Sequence, residues 1–385
     1  MNFAALKNYL GYLFNNIFSV LVVGIPLVYF YINRSNGDYV KLNNYKEISK
    51  LFVFLFFLSP ELILPKALNR DQNITGFIFI IFVIFAFIAS SVFMIVSVQD
   101  SLIWFIILFN LISLFFYSLA VYQVKLVVYI FAQGLSLIVS SLVLFVYNIQ
   151  LVSFYLLNTF LLAAMSSLLF KRYIYSITIS RVAILNYLRS YKFFYIAYYK
   201  FAFTTVIGVF VALYSRYVFQ DYYGILRYES YDLINSTITL LLGVLTQSYI
   251  SYRVFTRSQH ASFLKDFIIY SVILVCLLSV FSIDIVSLYF FNLKLDFVYL
   301  SVLFFIEILK FGALKFTVHF IEKDRYDLLG IISLINLVFI IISIYIVRFV
   351  LDDFLLAILL VNLASVFFNW LFSYMIFNKL KFFSF

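Results

Sequence analysis

In the stretch "FVYLSVLFFIEILKFGALKFTVHF", residues 297 to 320, Glu307 and Lys310 stand three residues apart and Lys315 and His319 four apart within an otherwise apolar run. Both spacings put the pair on one face of a helix, so Glu307 and Lys310 can neutralise each other while Lys315 and His319 form a second polar turn. A charged side chain at bilayer depth costs on the order of 3 kcal/mol, so each needs a partner, a wet cavity or a route to the surface. Two chemistries fit. The pair either satisfies itself within its helix, or it faces an internal cavity, where Lys310 offers positive charge to an anion and Glu307 tunes it or couples to protons.

Other bases lie near the ends of apolar runs. Lys200 and Arg216 are separated by sixteen residues, about 24 Å along a helix, and both can snorkel to an interface. Arg34 holds the position in the first half that corresponds to Arg216 in the second. Asp284 is expected close to the outer surface, His260 in a cytoplasmic loop, and Cys276 as a buried core thiol.

The elements that must position these groups are membrane helices. Of 385 residues, 65% are hydrophobic and 11% charged, more apolar surface than a soluble core of this size can enclose. Runs such as "GFIFIIFVIFAFIASSVFMIV" lack the strict alternation of barrel strands and are long enough to cross about 30 Å of hydrocarbon as helices. Phe, Ile and Leu supply bulk, and the 32 tyrosines suit positions where a polar tip meets water or a cavity. The first run has no small-residue cleavage site and reads as a retained span.

Apolar runs of about 20 residues fall near 13–32, 48–65, 75–97, 101–122, 124–147, 150–170, 195–217, 231–250, 267–290, 297–320, 328–350 and 353–377. The expected fold is therefore an all-α polytopic membrane protein of about twelve spans. Pro60, Glu61 and Pro65 interrupt the second run and bend or end its helix. An even count puts both termini on one side. Taking the termini and even-numbered loops together and leaving out Lys310 and Lys315 as lying within a span, seventeen Lys and Arg fall on the terminal side and eight, Lys41, Lys46 and Lys50 among them, on the other, which makes the terminal side cytoplasmic. The net charge of +10 then reflects this bias and attraction to anionic lipid, with no nucleic-acid partner.

The basic segment "KRYIYSITISRVAILNYLRSYKFF", residues 171–194, divides the chain into an N-terminal six-helix bundle (1–170) and a C-terminal one (195–385). Six spans each would give the halves the same membrane orientation, as in parallel transporter repeats. Setting Asp38 on Asp221 aligns Tyr39 with Tyr222 and Tyr45 with Tyr228, in agreement with that pairing. One cysteine, two separated histidines and no glycine-rich phosphate loop leave no catalytic constellation, metal cluster or cofactor motif. Transport driven by an ion gradient or a substrate gradient is expected, without nucleotide hydrolysis.

The opening "ALKNYLGYLFNNIFSVLVVGIPLVYFYINRSNGDYV" and the corner "SRYVFQDYYGILRYESYDL" are similar to those of Wzx-type polysaccharide flippases, within the multidrug, oligosaccharidyl-lipid and polysaccharide (MOP) exporter superfamily. The motifs are Lys7-Asn8 before the first span, then Arg34, Gly37 and Asp38-Tyr39 after it, and Arg216, Gly224 and Tyr228 around the seventh. Ser215 stands where the family carries an acid, which weakens the case for a salt bridge at that place, and the proline common at the start of this span is absent. In topology the resemblance covers the full length. It implies a MATE-like pair of halves that carries an undecaprenyl-pyrophosphate-linked oligosaccharide across the bacterial inner membrane by alternating access. The partners it implies are that lipid-linked glycan, membrane lipids, a polysaccharide polymerase and a chain-length regulator. Cations in the cavity, drawn from Lys310, Arg216, Lys200, Arg34 and Lys315 with Glu307 beside them, would hold pyrophosphate and acidic sugars. Tyrosine walls would suit sugar rings.

Two other readings remain open. An O-antigen polymerase has a similar span number but carries a large periplasmic loop with Arg and His, whereas the longest loop expected here is cytoplasmic. A drug or cation exporter of the same superfamily would hold buried acids without matching bases, whereas the intramembrane charges of this chain lean basic.

Overall fold

The computed structural model describes residues 3–33, 38–57, 73–95, 98–122, 125–175, 177–256, 263–291, 293–323 and 325–382. Among them lie fourteen helices and no strand. Eight helices are long and apolar enough to cross a membrane, or nine when one bent pair counts as a single span. The expected spans at 195–217 and 231–250 fall inside helices that, like Asp38–Phe57, are more polar than the other long helices. The second expected span, 48–65, overlaps helix Asp38–Phe57, and its proline-containing end lies outside the described residues.

The helices group into two compact units by their contacts. The first holds 6–25 and 41–209, and the second holds 1–5, 26–40 and 210–385. Helix α1 (Phe3–Asn33) contributes to both, and the change of membership falls at Pro26, the proline inside it.

In the first unit, α2 (Asp38–Phe57) is followed by α3 (Asn73–Ile95), α4 (Val98–Tyr122), α5 (Leu126–Tyr147), α6 (Leu151–Leu169), the short α7 (Lys171–Tyr175) and the first part of α8 (Arg181–Tyr223). Helix α4 packs against α3, α5 and α6, burying Ile106, Ile107, Leu111 and Phe116. Helix α1 approaches α5 closely at Gly134, where an added Cβ would come within 3.0 Å of the Phe18 ring.

The segment expected as a basic linker is largely helix. Ser180 accepts a hydrogen bond from the Ala183 amide at 3.1 Å, capping the start of α8. Tyr187, Tyr191 and Phe194 recur with helical spacing and turn inward. The Tyr187 hydroxyl donates to the Thr178 carbonyl at 2.9 Å, and Tyr191 stacks on Phe77 of α3 at 3.8 Å. Arg181, Arg189 and Lys192 remain exposed on the other side. The segment is thus an amphipathic helix whose tyrosines dock on its unit, a pattern that a search for continuous apolar runs passes over.

The second unit continues with the end of α8, then α9 (Ile225–Thr256), α10 (Phe263–Phe281), α11 (Asp284–Phe291), α12 (Phe297–Glu322), α13 (Tyr326–Val350) and α14 (Phe354–Phe382). Helix α12 packs against α9, α10, α13 and α14. Only Gly224 separates α8 from α9, with φ at +87°, a conformation that favours glycine over residues carrying a Cβ. The loop expected between these spans is therefore a single-residue corner.

Two further expectations are corrected. The run 267–290 is not one straight span, because α10 and α11 meet at 91°. Cys276 is exposed on α10, among the exposed Val272, Ile273, Val275 and Val280. On a membrane helix that outer face meets lipid as apolar as a core, so a thiol need not be covered by protein.

Candidate functional site

The second unit gathers the strongest set of charges. Glu307 of α12 is 7% exposed, and each of its carboxylate oxygens has a donor. Lys310 Nζ reaches Oε1 at 2.6 Å, and the Tyr270 hydroxyl of α10 donates to Oε2 at 3.0 Å. Tyr270 is itself fully buried and stacks on Phe311 at 4.4 Å, so the aromatic packing of α10 on α12 aims its hydroxyl at the carboxylate. The Lys310 side chain stays 42% exposed. An ammonium has three donors and this ion pair uses one. The sequence expectation that Glu307 and Lys310 pair on one helical face is met. What spacing could not supply is Tyr270, which closes the carboxylate from a neighbouring helix.

Arg216 makes a second pair. Its Nη2 lies 3.0 Å from Asp232 Oδ1, and the two side chains are 13% and 1% exposed. The guanidinium also stands over the Tyr228 ring at 5.8 Å. This corrects the expectation drawn from Ser215: the salt bridge exists, but its acid comes from α9, across the Gly224 corner. Burial, followed by the neighbouring Asp232, pushes the Tyr228 phenol up from its ordinary range, with Arg216 opposing. Tyr228 is therefore a neutral wall beside a charged pair. Arg227 is exposed in the first turn of α9.

Tyr231 links the two pairs. Its surroundings include the charges of Asp232, Arg216 and Glu307, and its oxygen accepts a hydrogen bond from Asn362 Nδ2 of α14. On the same unit, the Tyr31 and Thr237 hydroxyls lie 3.4 Å apart. The interior of this unit is thus a chain of compensated charges and phenols carried by α8, α9, α10, α12 and α14.

The remaining expected residues are not part of that chain. Lys315 is exposed, with Nζ 5.4 Å from the Phe263 ring centroid, and His319 packs edge-on against Phe377 at 4.9 Å. The Lys315 and His319 turn is therefore lined by aromatic rings. Arg34 lies outside the described residues, as does the side chain of Lys200 within α8.

Sequence reasoning missed one base altogether. Lys46, assigned to an outer loop, lies on α2 and is only 8% exposed. Its Nζ stands over the Tyr155 ring at 5.3 Å, near a hydrogen-bonded group in which Asn110 Nδ2 donates to Ser49 Oγ at 2.8 Å and to the Tyr155 oxygen at 3.3 Å. Tyr39, Asn43, Lys46, Ser49 and Val53 are all buried on α2. That helical periodicity was present in the sequence, but its polar members hid it from a search for apolar runs.

Among the described residues no group of His, Cys, Asp and Glu has the arrangement of a metal site. The class this geometry defines is a polytopic helical membrane protein with ion pairs inside one of its units. Comparison of the fold is more specific. The structure aligns with a MATE transporter in its bent conformation at a TM-score of 0.62, covering 99% of this chain and 96% of that one at 12% identity. It also aligns with an outward-facing multidrug resistance MATE family transporter of the MOP superfamily, at 0.57 and 12% identity with 96% of both chains covered. A third match is a MOP superfamily transporter from Pyrococcus furiosus whose binding pocket is described as reversed in polarity, at 0.55 and 13% identity over 96% of each chain. The chain therefore has the MATE fold over its full described length. No known family's sequence pattern matches it, and no curated protein matches it in sequence.

Proposed function

We propose that this chain is a membrane transporter of the MOP type whose cargo is anionic, and that the cargo is an undecaprenyl-pyrophosphate-linked oligosaccharide moved across the bacterial inner membrane by alternating access. The observation that carries the reading is the charge balance of the second unit. Of its buried acids Glu229, Asp232 and Glu307, the last two are each held by a base, whereas Lys310 keeps two-fifths of its side chain exposed. A cationic drug would need an acid available to it, and a phosphate or carboxylate needs what Lys310 still offers. The similarity of the opening and of the Arg216 corner to polysaccharide flippases supports the lipid-linked glycan as the anion. Tyrosines such as Tyr231 and Tyr228 supply faces and hydroxyls suited to sugar rings.

A cation or drug exporter is the second reading, favoured by the multidrug transporters that share the fold. One experiment separates the readings: delete the gene and follow both the lipid-linked intermediates and drug susceptibility. Single repeat units trapped on the cytoplasmic leaflet support the flippase. Unchanged glycan with heightened drug susceptibility would replace it by the exporter, and single units that reach the outer side and are ligated without polymerisation would replace it by a polymerase.

A further inference from the structure

Helix α11 does not continue the span that precedes it. The apolar part of α10, Phe267–Phe281, follows Lys265 and Asp266 and is about 22 Å long at 1.5 Å per residue, most of a hydrocarbon core of about 30 Å. The bend of 91° therefore falls where α10 leaves the bilayer. Spans tilt by about 20° on average, so a helix at right angles to one lies close to the membrane plane. Phe281 and Phe291 meet edge to face at 5.0 Å and hold the bend, and Ser287 and Phe291 are fully buried beneath the helix.

The opposite face is apolar and uncovered within the chain. Ile285, Leu288 and Tyr289, spaced as one helical face, are 79%, 44% and 57% exposed. Ile283 before the helix and Phe297 after it, at the start of α12, are also exposed. Polar character is confined to a pair at the edge, where Lys294 Nζ lies 2.7 Å from Asp284 Oδ2 and both side chains are mostly exposed. The exposed face is continuous with that of α10, which presents Val272, Val275 and Val280 outward. An apolar face joined to a span's outer surface, with its ion pair at the rim, fits the chemistry of a lipid interface.

We propose that α11 is an interfacial helix that seats Ile285, Leu288 and Tyr289 on the boundary between lipid headgroups and acyl chains, while Asp284 and Lys294 stay in the aqueous layer. It anchors the α10–α12 corner at a fixed depth, and Tyr270 and Glu307 ride on those two helices. The inference is independent of the cargo.

The test uses the full chain in vesicles of phosphatidylethanolamine and phosphatidylglycerol, in a Cys276→Ser background. Nitroxide labels are placed singly through Ile285→Cys, Leu288→Cys, Tyr289→Cys and Lys294→Cys, and their collisions with oxygen and with a water-soluble nickel chelate are compared. All are surface positions, and an unchanged thermal midpoint verifies that each variant is folded. The expected result is a depth of roughly 5–10 Å below the headgroups at 285, 288 and 289, with 294 open to water. Water exposure at all four sites overturns the proposal. So does shielding of 285, 288 and 289 from both reagents, which would mean a protein partner, and so does a depth that increases steadily along the helix, which would mean a second half of a span.

Discussion

Lys310 joins two roles that a single residue rarely combines in a membrane interior. It neutralises Glu307 at 2.6 Å, yet its side chain remains 42% exposed, with donors left for an anion. Charge-assisted hydrogen bonds contribute roughly 1.5–3 kcal/mol, so Lys310→Gln is expected to lower export by about ten- to a hundredfold, whereas Lys310→Arg retains most of it. Both are read by the rate at which lipid-linked repeat units reach the outer leaflet, at equal amounts of protein in the membrane; full export by Lys310→Gln would remove this residue from the site. Arg216 is different, because Asp232 and the Tyr228 ring already occupy its guanidinium. Breaking such a buried pair from one side costs about 3–5 kcal/mol, and replacing both partners with apolar groups costs far less. Asp232→Asn should therefore lower the thermal midpoint in detergent strongly, and the double variant Arg216→Met with Asp232→Leu should recover most of the loss. An unchanged midpoint for Asp232→Asn would show that the pair contributes nothing.

At the scale of elements, close approach decides what each helix tolerates. Gly76 of α3 lies under the ring of Tyr187, and an added Cβ would sit 2.3 Å from it. The hydroxyl at that end of the ring is held by its hydrogen bond to the Thr178 carbonyl, so the ring cannot simply swing away. Gly76→Ala is expected to destabilise the first unit by about 1–3 kcal/mol, the usual cost of overpacking, and to be partly rescued by Tyr187→Leu. Thermal unfolding of the two variants and their combination measures the coupling, and additive effects would contradict the contact. The same helix start shows why α8 is no loop. Ser180 caps it, and Tyr187 and Phe194 are buried while Arg181, Arg189 and Lys192 face outward.

For the molecule as a whole, the distribution of Lys and Arg, seventeen on the terminal side against eight, predicts that the terminal side is cytoplasmic. Cysteine introduced at Asn148, between α5 and α6, should react with an impermeant maleimide added to intact cells in a Cys276→Ser background. Cysteine at Lys323, after α12, should react only once the inner membrane is opened. The reverse pattern would invert the topology and, with it, the direction assigned to the cargo.

Composition and run length by themselves determined that the chain is all-helical and polytopic, because hydrocarbon admits uncharged helical runs of about 20 residues and little else. Local spacing also determined the Glu307–Lys310 pair, since partners three apart on a helix meet whatever surrounds them. The helices whose buried face is polar were illegible to the same search: Lys46 on α2, and the tyrosine face of α8, emerge only where another helix packs on them. The bend between α10 and α11 was equally hidden, since both sides of it are apolar. Asp232 for Arg216, Tyr270 for Glu307 and Asn362 for Tyr231 were chosen by tertiary structure alone. Each partner sits on a different helix, and no spacing along one chain segment encodes which side chains separate helices bring within 3 Å.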